Sequence, residues 1–379
     1  MVGLPGRVRP VAGLGAPVRH GTAVPGRPGR KRHEPYGGTA VFPAPVTGYG
    51  GHVYPGLVRL TGPRTLGTGP RTVLVAGSRA GTASVPVSVV LVTHNRRESL
   101  RRVLERMVAL PEEPPVIVVD NASGDGTREA VLREFPQVTL LACEANLGAA
   151  ARNLGVERVR TPYVAFCDDD TWWEPGSLAA AVRLLDVHPR VASVTARILV
   201  EPGGREDPIT PELRDSPVPA PPGLPGPALM SLLAGASVLR VDAFRRVGGF
   251  SPRLWLGGEE ELMALDLAAS GWWMCWVEDL VVHHQPSTLR DPRRRRQLGI
   301  RNTLWTTWLR RPVPAALWRT AALLRRFPRD RATAAAVLEA VRGVPWVLRE
   351  RRVVPPHVEA ALRILDPVQL RSPARRYLG

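Results

Sequence analysis

Cysteine is scarce in this chain. Its 379 residues include only Cys143, Cys167 and Cys275, an odd number, widely spaced and set within apolar runs. That excludes a disulfide framework and zinc-type spacing, and fits reduced, buried thiols in a cytosolic protein. Long apolar runs are also missing. Nothing approaches the roughly 18 to 20 residues that cross a bilayer, and the opening residues lack the compact apolar core of a secretory signal. Acidic residues are nearly absent at the start: residues 1–84 contain 11 basic residues and one acid, Glu34. Rich in Gly, Pro, Arg and Thr, this segment buries too little apolar surface to offset its ordering entropy and reads as mostly disordered. A transit peptide and an extension without function both remain open for it. Val73–Ala76 is a candidate short edge strand.

What is present is unevenly charged. The net +17 divides into +10 for residues 1–84, −7 for 85–290 (20 basic, 27 acidic) and +14 for 291–379 (20 basic, six acidic). Basic flanks around an acidic middle suggest an anionic surface as the flanks' partner. With 44% apolar residues the chain can fill a core, and it divides as 1–84, 85–290 and 291–379.

Order begins at Val87–Asn95, a nearly continuous β-branched run typical of a strand buried on both faces. A helix follows with Leu100, Val103, Leu104, Met107 and Val108 on one stripe. Val116–Val119 is a second strand ending at Asp120-Asn121, and Ser123–Thr127 turns into another helix. Val138–Leu141 is a third strand, and Asn146-Leu147-Gly148 introduces an Ala-rich helix to about Val159. Tyr163–Cys167 is the fourth, stopping on Asp168-Asp169-Asp170. Alternating strands and helices predict a doubly wound parallel sheet with its ligand crevice at the strands' C-terminal ends. After a further helix and a strand at Val191–Val200, residues 201–227 carry nine prolines, a long loop beside the expected crevice. A helix with Leu262, Leu265 and Leu267 and a strand from Trp272 to His284 complete the domain.

If the strand runs through the three aspartates, Asp168 and Asp170 point one way and Asp169 the other. Like charges on one face need a cation, and a hard divalent ion, Mn2+ or Mg2+, suits two carboxylates with sites left for phosphate oxygens. The plain alternative is a solvated acidic turn before the next helix. Beyond Asp291, Leu304, Trp305, Trp308 and Leu309, and then Leu317, Trp318, Leu323 and Leu324, recur at helical spacing among arginines. These are ingredients of an interfacial helix, or of a helical cover on the core.

Taken together, these motifs resemble family 2 glycosyltransferases over roughly residues 86–290. The resemblance rests on Val89–Arg96, Val118–Thr127, Asn146-Leu147-Gly148 with Ala151-Arg152-Asn153, the Asp168–Asp170 DxD motif, Val247–Phe250, Gly258-Glu259-Glu260 and His283-His284. It implies a GT-A fold, Rossmann-like with a mixed sheet, and an inverting, metal-dependent transfer. The donor would be a nucleotide diphosphate sugar, UDP- or dTDP-linked, and the acceptor a cell-envelope or lipid-linked glycan. It places Thr93, Asn95, Asp120, Asn146, Arg152 and Asp168 on the donor and Asp168, Asp170 and His283 (or His284) on the metal. The base falls on Glu260, with Glu259 beside it, although the family's usual residue there is Asp. Trp172 and Trp173 are candidates to stack on a sugar, whereas Trp272, Trp273 and Trp276 read as core. Gln297 and Arg301-Asn302 do not reproduce the processive Gln-x-x-Arg-Trp spacing, so a single transfer is implied.

The expected location is cytoplasmic, peripheral on the inner membrane face. Two rivals remain: a nucleotidyltransferase, which should carry a Gly-rich loop and a Lys where Thr93–Arg97 has neither, and a nucleic-acid binder acting through the basic flanks. No recognised nucleic-acid module is present, and the middle is acidic.

Overall fold

The computed structural model describes residues 58–61, 72–76, 85–286 and 291–372, all within one unit spanning Pro43–Gly379. Most of the segment expected to be disordered, and all of its first 57 residues, lies outside the described residues. In chain order the strands are β1 (Val58–Thr61), β2 (Thr72–Ala76), β3 (Val87–Thr93), β4 (Val116–Asp120), β5 (Thr139–Cys143), β6 (Tyr163–Asp168), β7 (Thr171–Trp173), β8 (Val191–Val200), β9 (Arg205–Glu206), β10 (Ser237–Arg240) and β11 (Trp273–His284). The helices between them are α1 (Arg97–Met107), α2 (Thr127–Glu134), α3 (Ala151–Arg158), α4 (Ser177–Val187), α5 (Thr210–Arg214), α6 (Val241–Val247) and α7 (Glu259–Ala269). After β11 come α8 (Pro292–Arg310), α9 (Val313–Arg326), α10 (Arg331–Arg342), α11 (Val344–Glu350) and α12 (Pro356–Arg371).

The strands form one mixed sheet in the order β1-β2-β5-β4-β3-β6-β10-β8-β11-β7, with β9 on the side of β8. Its centre is parallel: β3 pairs β4 and β6, and β4 pairs β5. Antiparallel β10 sits between β6 and β8. The strand anticipated at Val73–Ala76 is β2; it is not the edge, because β1 adds outside it.

The β-branched run of β3 is buried on both faces. Val90 joins one apolar cluster and Val89 and Leu91 the other, as the alternation of side chains across a strand requires. Helix α3 lies so close to β3 that a Cβ at Gly155 would stand 2.4 Å from Val90 Cγ1. A third cluster, with Leu254, Leu262, Ile300, Leu304 and Leu309, joins the C-terminal helices to α7. Of the two stripes anticipated in that region, Leu304, Trp305, Leu309 and Leu323 are core, whereas Leu317, Trp318 and Leu324 are exposed. The long loop 201–227 is partly ordered as β9 and α5.

Candidate active site

Parallel pairing sets one wall of a crevice. Register places Thr93 opposite Asp120 and Val92 opposite Asp168, so three polar strand ends converge. Thr93 is buried, and its hydroxyl donates to Asp169 Oδ2 at 2.9 Å. Asn95 has φ of 53° and its side-chain oxygen accepts from the Gly124 amide at 2.8 Å, pinning the β3 loop to the β4 loop. Asp120 is fully buried; Oδ1 accepts from the Ser123 amide at 3.0 Å, while Oδ2 has no hydrogen-bond partner. Arg128 stands 3.6 Å from that free oxygen. Asn146 is engaged locally, accepting from the Gly148 amide at 2.9 Å. Gly148 (φ 60°) is required there, since a Cβ would meet the Trp255 carbonyl oxygen at 2.1 Å.

The three aspartates separate. Strand β6 ends at Asp168 and the chain turns before β7, so strand alternation does not carry through to Asp170. Asp168 Oδ1 is ion-paired with the buried Arg152. Burial works against the Arg152 charge, but Asp168, Glu259 and Glu260 outweigh it and hold the guanidinium protonated. Burial, then the neighbouring Asp170 and Asp168, push Asp169 up to about 7. Asp170 is 3% exposed and faces His284, whose Nε2 lies 3.9 Å from Oδ1 and whose Nδ1 lies 3.6 Å from Asp207.

His283, expected at the metal, is elsewhere. Its Nδ1 meets Glu201 at 2.8 Å, its Nε2 meets Glu174 at 2.5 Å, and its ring stacks on Trp172. The register of β11 on β7, which sets His283 against Trp172 and His284 against Thr171, decides which histidine reaches Asp170. Asp168, Asp170 and His283 are therefore not brought together, and among the described residues no group of three or more His, Cys, Asp or Glu side chains is arranged to hold an ion. Trp172 and Trp173 are not open to a sugar either: Trp173 is fully buried, and Trp172 is covered by His283 and by Arg106, 4.1 Å from its ring centroid. Trp276 is core as expected, with Trp272 and Trp273 half-buried.

The opposite wall is the start of α7. Gly257 and Gly258, at φ of 83° and 86°, turn the chain into the helix. Three glutamates follow in its first turn, where unpaired amides favour negative charge. Glu259 is buried with Oε2 unpartnered; burial raises its pKa and Arg152 opposes the rise. Glu260 Oε1 accepts from the Ala234 amide at 2.5 Å. Burial first, and Glu259 second, push Glu260 up to about 8. Glu261 turns away toward Arg319, 3.8 Å distant. A cavity of about 780 Å³ opens beside Glu260 and Glu261, with Leu213, Met230 and Leu233 on one side and Arg293, Arg296 and Leu365 on the other.

This arrangement sets the buried Arg152 among Asp168, Glu259 and Glu260, with the polar strand ends on one side and the cavity beside Glu260 on the other. Residues 88–248 match the family described as Glycosyl transferase family 2. The matched stretch, 161 of the 379 residues, is similar to that family. The chain is 28% identical over 243 residues, 54% of its own length and 78% of the relative's, to N-acetylglucosaminyl-diphospho-decaprenol L-rhamnosyltransferase of Mycobacterium tuberculosis. It is 30% identical over 223 residues to the pre-mycofactocin glycosyltransferase of the same organism, covering 56% of this chain and 45% of that protein. Among solved structures, GalNAc-T7 with UDP, GalNAc and Mn2+ superposes with a TM-score of 0.53 at 15% identity, over 77% of this chain and 59% of the other. That likeness establishes the GT-A fold. Sequence reasoning missed the Ala234 amide on Glu260, Asp207 behind His284 and the Arg319–Glu261 contact; none is announced by a local motif.

Proposed function

We propose that this chain is a family 2 glycosyltransferase that moves a sugar, with inversion, from a nucleotide diphosphate sugar, UDP- or dTDP-linked, to a lipid-linked or cell-envelope glycan. The observation that carries the reading is Glu260: a carboxylate held near neutral pKa, across from Arg152 and at the edge of a cavity large enough for an acceptor. In the proposed step the acceptor hydroxyl attacks the anomeric carbon, Glu260 takes its proton, and the bond to the diphosphate breaks. Asp120 Oδ2, which makes no hydrogen bond and has Arg128 at 3.6 Å, suits a donor group of the base or ribose, which would complete its hydrogen bonding. Thr93 and Asn95 shape that side through the β3 loop. Arg152 offers fixed positive charge close to where the diphosphate would lie.

The donor set also fits a divalent ion. Asp170 and His284 are 3.9 Å apart, a separation that two ligands each about 2.1 Å from one ion can span. Asp207 backs the other ring nitrogen, as carboxylates commonly do behind ligating histidines. Asp170 and His284 would hold Mn2+ or Mg2+, which when bound would supply charge neutralisation of the departing diphosphate. The lipid-linked acceptor is supported by the rhamnosyltransferase relative, named for N-acetylglucosaminyl-diphospho-decaprenol.

The test is transfer and hydrolysis over a panel of nucleotide sugars with Mn2+ or Mg2+, repeated on variants. Glu260→Gln should lower kcat by about 10²- to 10⁴-fold with donor KM little changed. Asp170→Asn should remove the response to added metal. If Glu259→Gln is the crippling change and Glu260→Gln is not, the base is Glu259. Turnover unaffected by both would defeat the reading.

A further inference from the structure

The C-terminal helices present an outer face unlike the rest of the described surface. Thirteen large hydrophobic side chains are exposed, and eleven of them fall between Val313 and Val368. They follow helical spacing: Val313, Leu317 and Leu324 along α9, and Leu338, Val341 and Leu348 along α10 and α11. Single exposed hydrophobics need no explanation, but a concentration of this kind marks a contact surface.

Charge on these helices is sorted as sharply. All five carboxylates between Val313 and Arg371 are tied into ion pairs: Asp330 with Arg296, Glu339 with Arg294 and Arg301, Glu350 with Arg253, and Glu359 and Asp366 with Arg311. Arg325, Arg329, Arg331, Arg342, Arg349 and Arg352 are exposed, and none makes an ion pair with a described residue. Arg342 stands one turn after Leu338 on α10, and Arg349 follows Leu348 on α11. These helices thus expose apolar side chains and unpaired arginines, while each of their carboxylates is matched by an arginine.

We propose that this face docks on a bilayer surface rich in anionic lipid, its leucines, valines and Trp318 entering the interface and its arginines meeting headgroup phosphates. A second copy of the chain would oppose arginine to arginine, and a nucleic-acid backbone would gain nothing from the exposed leucines. The contact is interfacial, for no helix among the described residues is long and apolar enough to cross a membrane. The proposal stands apart from the transfer chemistry and does not depend on it.

The experiment is sedimentation of the full chain with vesicles of phosphatidylcholine alone or mixed with phosphatidylglycerol. Binding should require phosphatidylglycerol and weaken as salt rises. Leu317→Glu with Trp318→Glu, and separately Arg342→Glu with Arg349→Glu, should each weaken it about tenfold or more, on the scale of roughly 1 kcal/mol per interfacial charge. All four side chains are exposed, so Tm should be unchanged. Equal binding to neutral vesicles, no binding to either, or wild-type binding by both variants overturns the proposal. So does a dimer that Leu317→Glu with Trp318→Glu dissolves, or salt-sensitive binding to a mixed-sequence oligonucleotide without binding to vesicles.

Discussion

On one wall of the crevice, Thr93, Asp120 and Asp168 end neighbouring strands of the same parallel ladder. On the other, Glu260 stands in the first turn of a helix that distant residues hold in place. Arg310 forms two bonds to Asp266 in the middle of α7, at 2.6 and 2.8 Å. Asn302 donates to the carbonyls of Leu254, Leu256 and Gly257, which lead into the same helix. Behind these, Arg311 and Arg319 join Glu359, Asp366 and Gln369 in a buried network that reaches Glu261. The strand wall is fixed by backbone pairing, which tolerates side-chain change. The helix wall is fixed by side chains, so the basic C-terminal helices are part of the active site's frame.

The largest test of that contrast is Arg311→Ala. Arg311 is 3% exposed and bonds both oxygens of Glu359 and of Asp366 at 2.8–3.0 Å. Its loss leaves two buried carboxylates short of their partner, a change expected to cost about 3–5 kcal/mol. Thr93→Val, which deletes one hydrogen bond on the strand wall, should cost only about 1 kcal/mol. Urea unfolding of the two variants compares them directly; equal losses would dissolve the distinction.

A smaller effect, and a more pointed one, is expected from Arg310→Met. The apolar stem is kept and the Asp266 bond is lost, so α7 should loosen without unfolding. If that bond positions Glu260, kcat falls about tenfold while donor KM stays constant, because the strand wall is untouched. A rise in donor KM with kcat unchanged would mean that the two walls are not separately held.

The same contrast explains what could be read in advance. The strand wall was legible because each element is local: β-branched runs make β3, β4 and β6, and the polar residues that end them follow at once. The buried cysteines came from the same signals, whereas the mixed GT-A sheet and the α7 glutamates came from the family resemblance, since local alternation alone gave a parallel sheet. Asp168 and Asp170 were read as pointing together because the strand was taken to continue, whereas it stops at Asp168. The choice between His283 and His284 rested on pairing between β7 and β11, some hundred residues apart, which no local pattern encodes. Arg310, Arg311 and Arg319 look like any solvated arginine in the sequence. Only the partners Asp266, Glu359 and Asp366, far along the chain, turn them inward.

The finest comparison lies within the helix wall, in how Glu260 answers pH. Burial and Glu259 raise it from 4.5 to about 8, against the opposing Ala234 amide and Arg152. The folded state therefore holds this proton more tightly than the unfolded chain does. Its stabilising contribution is full below about pH 4.5 and is lost as pH climbs toward 8. Glu260→Gln cannot ionise and escapes that loss. The variant should match the wild type in Tm near pH 4.5, exceed it increasingly as pH rises, and hold a constant lead above pH 8, by a few degrees at most. Over the same range wild-type kcat should rise, as the group that weakens the fold on ionising becomes able to accept the acceptor's proton. A lead that is constant across pH would show Glu260 already ionised throughout, its charge held by Arg152 more firmly than burial opposes it. Glu259, the more buried of the two and with an unpartnered oxygen, would then be the group carrying the proton.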